Sequence, residues 1–342
     1  MRVNIWKTFL MVIVLAGCSK TLQDERAENL GFENQMLPVQ IAGSTSGKAV
    51  LVSSDGFHNR VELVDPTTGT RKNLPVGARN KVMCVRIGQG DTVFVVTTKA
   101  NGPKGGLQVC EFTIQGKPVS RYTLENAELF VDFMVSPNPA FRIASLNMAS
   151  HLISLYDSAG HCVGTRGPYT GPEGPFRYAY MATVPDRHLV LVGPRSVKTN
   201  CEECPNYMTG NIRIYSGPED SFALLGQVEL GFITRDADWV NLLAMGGVGS
   251  AAYLFLRMGK YDEETERSRV GYALVKVYPM SSIAPEIVQT TGYDNLEWGD
   301  DGRLYAENGE YRPALTCADI SLDGKLFLAF GDGHIQVMEI RD

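Results

Sequence analysis

Short runs of Val, Ile, Leu, Tyr and Phe recur along this chain, and no segment sustains a helical period. Clusters of Gly, Pro, Asn and Asp separate the runs, which is the pattern of strands joined by tight turns. The runs fall into groups of four: Leu37 to Val76, Lys81 to Leu124, Leu129 to Thr165 and Tyr178 to Leu230. A fifth, looser group covers Trp239 to Thr290, and a last one, Thr316 to Ile340, has three clear strands. Turn signals such as Asp157-Ser-Ala-Gly160, Asp323-Gly324 and Asp332-Gly333 join them. Periodic four-stranded units predict an all-β fold, a six-bladed β-propeller of four-stranded antiparallel blades. Residues 291–314 are too polar to form a seventh blade.

Strand order also sorts the connections. The long ones are Lys99–Gly106, Arg166–Arg177, Gly193–Gly210, Gly231–Asp238, Arg257–Val270 and Thr291–Leu315. All join second to third strands, or one blade to the next, so they emerge on one face. Short turns such as Gly88–Gly90 and Pro185–Arg187 occupy the other. Insertions held on one side of a rigid frame predict a working face there. Residues just ahead of an inner strand would ring the channel mouth. Candidate ligand contacts are therefore Arg166, Tyr169, Arg177, Arg235, Asp238, Trp239, Tyr311 and Arg312. Aromatic rings supply area at little entropic cost and Arg supplies forked hydrogen bonds, which suits a protein, a peptide or a small polar ligand.

The amino-terminal stretch adds an address. Arg2 and Lys7 form a basic head, Phe9 to Leu15 an apolar stretch too short to span a bilayer, and Leu15-Ala16-Gly17-Cys18 follows. This resembles the lipobox of bacterial lipoproteins, in which the cysteine is acylated and becomes the new amino terminus. The resemblance implies a signal peptide over 1–17, a lipidated Cys18 and tether over 18–35, and a propeller over 36–342. It implies an anchored protein of the bacterial cell envelope. Ser19 in place of a retention Asp favours the outer membrane. The last group lacks an outer strand, and the segment near Glu28 to Glu33 is its natural donor. That closure would place Cys18 at the rim of the short-turn face.

A second resemblance lies in the fourth group. Gly171-Pro-Glu-Gly-Pro-Phe176, Ala182-Thr-Val184, Pro185-Asp186, Leu189-Val-Leu-Val192 and Asn211-Ile-Arg-Ile-Tyr215 look like an NHL-type blade. Ser321 to Leu328 and His334 to Met338 repeat its later part. The chain is thus similar to six-bladed, TolB-like propeller lipoproteins, a family that holds both enzymes and binding proteins.

Charge and chemistry narrow the function. A formal net charge of −6 without a basic run argues against nucleic acid and against docking on anionic lipid by charge. Cys84, Cys110 and Cys317 sit in apolar runs as small hydrophobes, whereas Cys201-Glu-Glu-Cys204 sits in a polar loop. A local disulfide is favoured for that pair over a redox or zinc site. His58, His151, His161, His188 and His334 are dispersed, and no G-x-S-x-G, H-E-x-x-H or phosphate-binding loop is present. The expectation is a non-catalytic binding lipoprotein with no cofactor. One alternative is a lyase or hydrolase using loop carboxylates with calcium, drawn from Asp294, Glu297, Asp300, Asp301, Glu307 and Glu310. The other is a platform subunit of an envelope complex.

Overall fold

The computed structural model describes residues 36–340 apart from 57, 78–79, 99–105, 137–139, 148–149, 151, 167–177, 195, 200–210, 218–221, 232, 263–266, 291–295, 299–303 and 307–310. Four-stranded antiparallel meanders follow one another around a ring. Blade one is β1 (Leu37–Gly43), β2 (Ala49–Ser54), β3 (Asn59–Asp65) and β4 (Thr70–Asn73). Blade two is β5 (Lys81–Ile87), β6 (Val93–Thr98), β7 (Leu107–Phe112) and β8 (Pro118–Leu124). Blade three is β9 (Phe130–Val135), β10 (Ile143–Asn147), β11 (Ile153–Tyr156) and β12 (Cys162–Arg166). Blade four is β13 (Tyr178–Val184), β14 (Leu189–Pro194), β16 (Ile212–Ser216) and β17 (Leu224–Val228), with β15 (Ser196–Thr199) inserted after β14. Blade five is β18 (Trp239–Val248), β19 (Ala251–Asp262), β20 (Arg267–Val277) and β21 (Glu286–Thr290). Three short strands follow, β22 (Leu296–Trp298), β23 (Leu304–Ala306) and β24 (Tyr311–Arg312). Blade six is β25 (Leu315–Ile320), β26 (Lys325–Phe330) and β27 (Ile335–Glu339).

Each second strand is buried on both faces, which is why it reads as an unbroken apolar run rather than an alternating one. Val50 and Val52 face blade two, while Ala49 and Leu51 face blade six. Val93 and Val95 point back to blade one; Phe94 and Val96 point forward to blade three. Leu189 and Leu191 join the layer with blade five, Val190 and Val192 the layer with blade three. Six apolar layers result, one between each pair of neighbouring blades, and they form the core. β4 stops at Asn73 instead of running on to Val76, because Pro75 cannot donate to a ladder. Leu74 and Val76 still bury in the layer between blades one and two.

The seam between blades six and one carries the least apolar material. Its buried set is Ile41, Ala49, Leu51, Val64, Phe327, Ala329 and Ile335, against twenty residues between blades four and five. Polar bonds also cross that seam. Lys325 Nζ donates to Thr45 O at 2.7 Å, and Arg71 Nη2 donates to Gly333 O at 2.5 Å. Thr45 carries the link into blade two, donating its N–H and hydroxyl to Asp91 Oδ1 at 3.1 and 2.9 Å. β1 lies so close to β26 that a Cβ on Gly43 would sit 2.1 Å from the Phe327 ring. Blade six has three strands among the described residues. The segment near residues 28–33, expected to complete it, lies outside them.

Candidate functional site

Two places in this frame gather chemistry: the axial channel and the long-loop face. The channel is walled by β1, β5, β9, β13, β18 and β25, and three of these strands interrupt apolar sequence with a charge. Arg86 Nη2 donates to both carboxylate oxygens of Asp132 at 2.6 Å. Asp132 also accepts the N–H of Phe133 on Oδ1 and that of Met181 on Oδ2, each at 2.8 Å. Asp319 Oδ2 accepts Gly43 N–H at 2.8 Å, and Gln40 Nε2 donates to Met83 O at 2.7 Å. Every one of these side chains reaches the inner strand of a neighbouring blade. Together they tie one to two, two to three, three to four and six to one.

At the remaining two junctions the backbones themselves touch. A Cβ on Gly247 would lie 1.8 Å from Thr183 O of blade four, and one on Gly246 would lie 2.7 Å from Ile320 of blade six. Asp186 N–H adds a bond to Gly249 O at 3.2 Å. The inner ring is thus closed by polar latches at four junctions and by glycine contacts at the other two.

Enclosure sets the ionisation of the channel groups. Burial works against the Arg86 cation, but Asp132 and Asp319 outweigh it and the guanidinium stays charged. Burial pushes the Asp132 carboxyl upward, while Arg86 and the two backbone N–H groups pull it back. Burial pushes Asp319 up to about 6 from 3.8, against the pull of Arg86 and of the Gly43 and Ile320 N–H groups; Asp132 adds to the rise. Cys84 is pushed up to about 12 by burial and then by Asp132, and Cys317 to about 12 by burial. Thiols held so far above neutrality are not nucleophiles. The cluster's donors and acceptors are spent on one another, which is the economy of a latch.

Asp319 makes the latch pH-dependent. Its folded pKa lies above the unfolded one, so its contribution is fully present below about pH 4 and is lost as pH rises through 6. At 1.36 kcal/mol per unit the ceiling is about 3 kcal/mol. The side chain keeps some exposure to the channel, so water brings this to the order of 1–2 kcal/mol. Urea melts of wild type and Asp319→Asn at pH 4.5 and 7.5 should differ by that amount. Asparagine can still accept the Gly43 N–H, and the variant should show the smaller loss of stability toward pH 7.5.

The long-loop face differs from the expected loops. Residues 257–262 and 267–270, expected in a loop, belong to β19 and β20, strands of twelve and eleven residues. The insertions at 193–210 and 291–315 contribute strands too. β15 pairs with the start of β18, Thr199 opposite Trp239 and Ser196 opposite Asn241. β22 joins β20 with Glu297 opposite Arg269, and β23 and β24 follow. The path β15-β18-β19-β20-β22-β23-β24 is one sheet rising from blade five. Because β18 is an innermost strand, β15 lies on its channel side. Nothing in Ser196-Val-Lys-Thr199 alternates strongly; the open edge of β18 organises it.

Several sequence-selected residues sit in this extension, and their contacts are internal. Asp238 Oδ2 accepts the Tyr261 N–H at 2.6 Å, fixing the base of β18 to β19. Trp239 lies flat against Gly259, where a Cβ would be 1.9 Å from the ring, and the Arg257 guanidinium stands 5.7 Å from the ring centroid. Arg235 is exposed in the turn before β18. Arg166 ends β12, the outermost strand of blade three, and therefore lies away from the axis instead of at the channel mouth. Tyr311 and Arg312 form β24 at the far edge of the extension. Cys18, Tyr169, Arg177, Cys201 and Cys204 lie outside the described residues. So do Asp294, Asp300, Asp301, Glu307 and Glu310. Among the described residues no group of three or more His, Cys, Asp or Glu could hold a metal ion.

Strand order and ring closure define the class: a six-bladed, all-β propeller with antiparallel blades. No protein-family model matches the chain. No curated protein matches it either. Solved structures do resemble it in fold. A catalytically inactive virginiamycin B lyase from Staphylococcus aureus is 12% identical, with 89% of this chain and 95% of that one covered and a TM-score of 0.48. A Bacteroides caccae protein of unknown function is 13% identical over 72% and 79% of the two chains, TM-score 0.47. The Dos1 propeller is 11% identical over 92% and 98%, TM-score 0.43.

Proposed function

We propose that this chain is a lipid-anchored propeller of the bacterial envelope that binds a protein, a peptide or a small polar ligand, without catalysis, through the sheet on its long-loop face. The carrying observation is that sheet. The first three strands of blade five run to ten, twelve and eleven residues, while strands of the other blades have seven or fewer. Strands recruited from two separate insertions widen it, β15 on the channel side of β18 and β22 to β24 beyond β20. Groups built on strands are held more rigidly than groups on loops. The channel centre argues in the same direction, since its charges serve one another. Anchoring rests on Arg2 to Cys18 and on acyl groups strong enough together to hold a protein at a bilayer.

The test is photo-crosslinking in cells from Tyr261, near the β19–β20 tip, and from Leu322, in a short turn on the opposite face. Tyr261 is 49% exposed and Leu322 39%, so either position can report a neighbour. A discrete adduct from position 261 and none from 322 is expected. Protein adducts from 322 alone would remove the assignment of the working face. Acyl labelling that is lost in Cys18→Ser checks the anchor separately.

A further inference from the structure

The outermost strands of blades two to five share a device. Each carries a bulge: Val119 is the extra residue in β8, Val163 in β12, Leu225 in β17 and Val288 in β21. Bulges on edge strands discourage edge-to-edge pairing. That explains the bulge but not its occupant, for a Lys would guard the edge better. Val119 and Val163 are instead 57% and 51% exposed. Each bulge lies near the turn between third and fourth strands, so the exposed positions mark the rim of the short-turn face, while Val288 is half-buried against the layer between blades five and six. Blade one breaks the belt: its β4, Thr70-Arg71-Lys72-Asn73, pairs regularly and is polar.

The belt thickens where blades four and five meet. The bulge in β17 presents Leu224 and Leu225 together, and the turn after β20 adds Met280 and Ile283, with Ile287 beside them at the start of β21. All five are exposed, Ile283 to 57%. Met280 Sδ lies 3.7 Å from the Cβ position of Gly226 in β17, so the two blades form one patch. Met280 also has φ +61°, a left-handed conformation that strains a side-chain-bearing residue and costs glycine almost nothing. Its methionine is kept exposed at that cost.

We infer that this rim rests on the bilayer to which the chain is anchored, with Leu224, Leu225, Met280 and Ile283 inserted at the lipid interface. The inference rests on the lipid anchor proposed above. Five side chains fall well short of the roughly 20 residues a side of a stable protein interface. A tether changes that arithmetic, because it makes insertion intramolecular and lets a small patch suffice. The 18 residues from 19 to 36 can span up to about 60 Å, enough to bring either face to the membrane. The patch therefore decides which face arrives. No Lys or Arg lies in 222–229 or 279–290, while Glu229 and Glu286 do. Contact is consequently through apolar insertion and not through lipid phosphate charge, and it leaves the long-loop sheet pointing outward.

The experiment places tryptophan at Ile283→Trp or at Tyr261→Trp in the full chain and reconstitutes it into phosphatidylethanolamine–phosphatidylcholine vesicles with brominated acyl chains. Quenching of the position-283 signal by at least two-fold is expected, with none at 261. The quenching should be unchanged by anionic lipid or by 0.5 M salt. An unquenched position 283, quenching that requires anionic lipid, or equal quenching at both positions overturns the inference. The Cys18→Ser chain held on nickel-chelating vesicles through a terminal hexahistidine gives the same readout without the acyl group. Failure of the anchor and failure of the rim are thereby distinguishable.

Discussion

Asp132→Ala is expected to destabilise the protein by about 3–5 kcal/mol, measured by urea denaturation at pH 7. Removal of the carboxylate leaves the Arg86 cation facing Asp319 without its hydrogen-bonded partner, and deprives the Met181 and Phe133 N–H groups of their acceptor. Against a typical total stability of roughly 5–15 kcal/mol this is a large fraction. Breaking one half of a buried pair differs from replacing both halves. Arg86→Met with Asp132→Leu removes both desolvated charges and fills the space with apolar side chains, so it should recover a substantial part of the loss. A double variant no better than Asp132→Ala would mean that the pair matters through something other than its uncompensated charge.

Gly247→Ala is expected to be as damaging, by a different route. The added methyl would meet the Thr183 carbonyl oxygen at 1.8 Å and the Val184 Cα at 2.8 Å. Both are backbone atoms, so no side-chain rotation relieves the clash, and β13 and β18 must separate. Overpacking usually costs about 1–3 kcal/mol, and a backbone obstacle puts this case at or beyond the upper end. Gly249→Ala supplies the contrast. Its nearest obstacle is the Asp186 carboxylate at 3.4 Å, and its cost comes from φ +57°. Alanine at that angle costs about 1–2 kcal/mol. Melting curves of both variants should therefore rank 247 well below 249.

These two sites show where a chain of this kind can be read and where it cannot. Runs such as Val93-Phe-Val-Val96 and Leu189-Val-Leu-Val192 announce strands buried on two faces, and their grouping gives the blades. Pairing within a blade is local, so turn signals fix it. Latches between blades join residues far apart in sequence: Asp319 to Gly43, Asp132 to Met181. A faint signal did exist. Val131-Asp132-Phe133 and Ala318-Asp319-Ile320 each place one carboxylate in the apolar first strand of a group, where only an internal partner makes a charge tolerable. Gly246-Gly247 inside β18 was a similar flag for close backbone approach.

The site was less legible. Aromatics and charges before the inner strands suggested a ring at the channel mouth, but Trp239 was spoken for by Gly259 and Arg257, and Asp238 by Tyr261. Arg166 was carried to the rim by one more residue of β-ladder than loop counting allowed. Short polar segments such as Ser196–Thr199 become strands only because β18 offers an open edge, a tertiary cause with little sequence signature.

One comparison tests most directly whether the structural centre and the binding face are separate. Envelope crosslinking and pull-down would be run on wild type, on Arg86→Met with Asp132→Leu, and on a chain whose residues 260–269 are replaced by an Asn-Gly turn. The channel variant is expected to keep the wild-type partner set, and the shortened hairpin to lose it by ten-fold or more. Loss of the partner with the channel variant, at unchanged protein level and melting temperature, together with retention by the shortened hairpin, would contradict that separation.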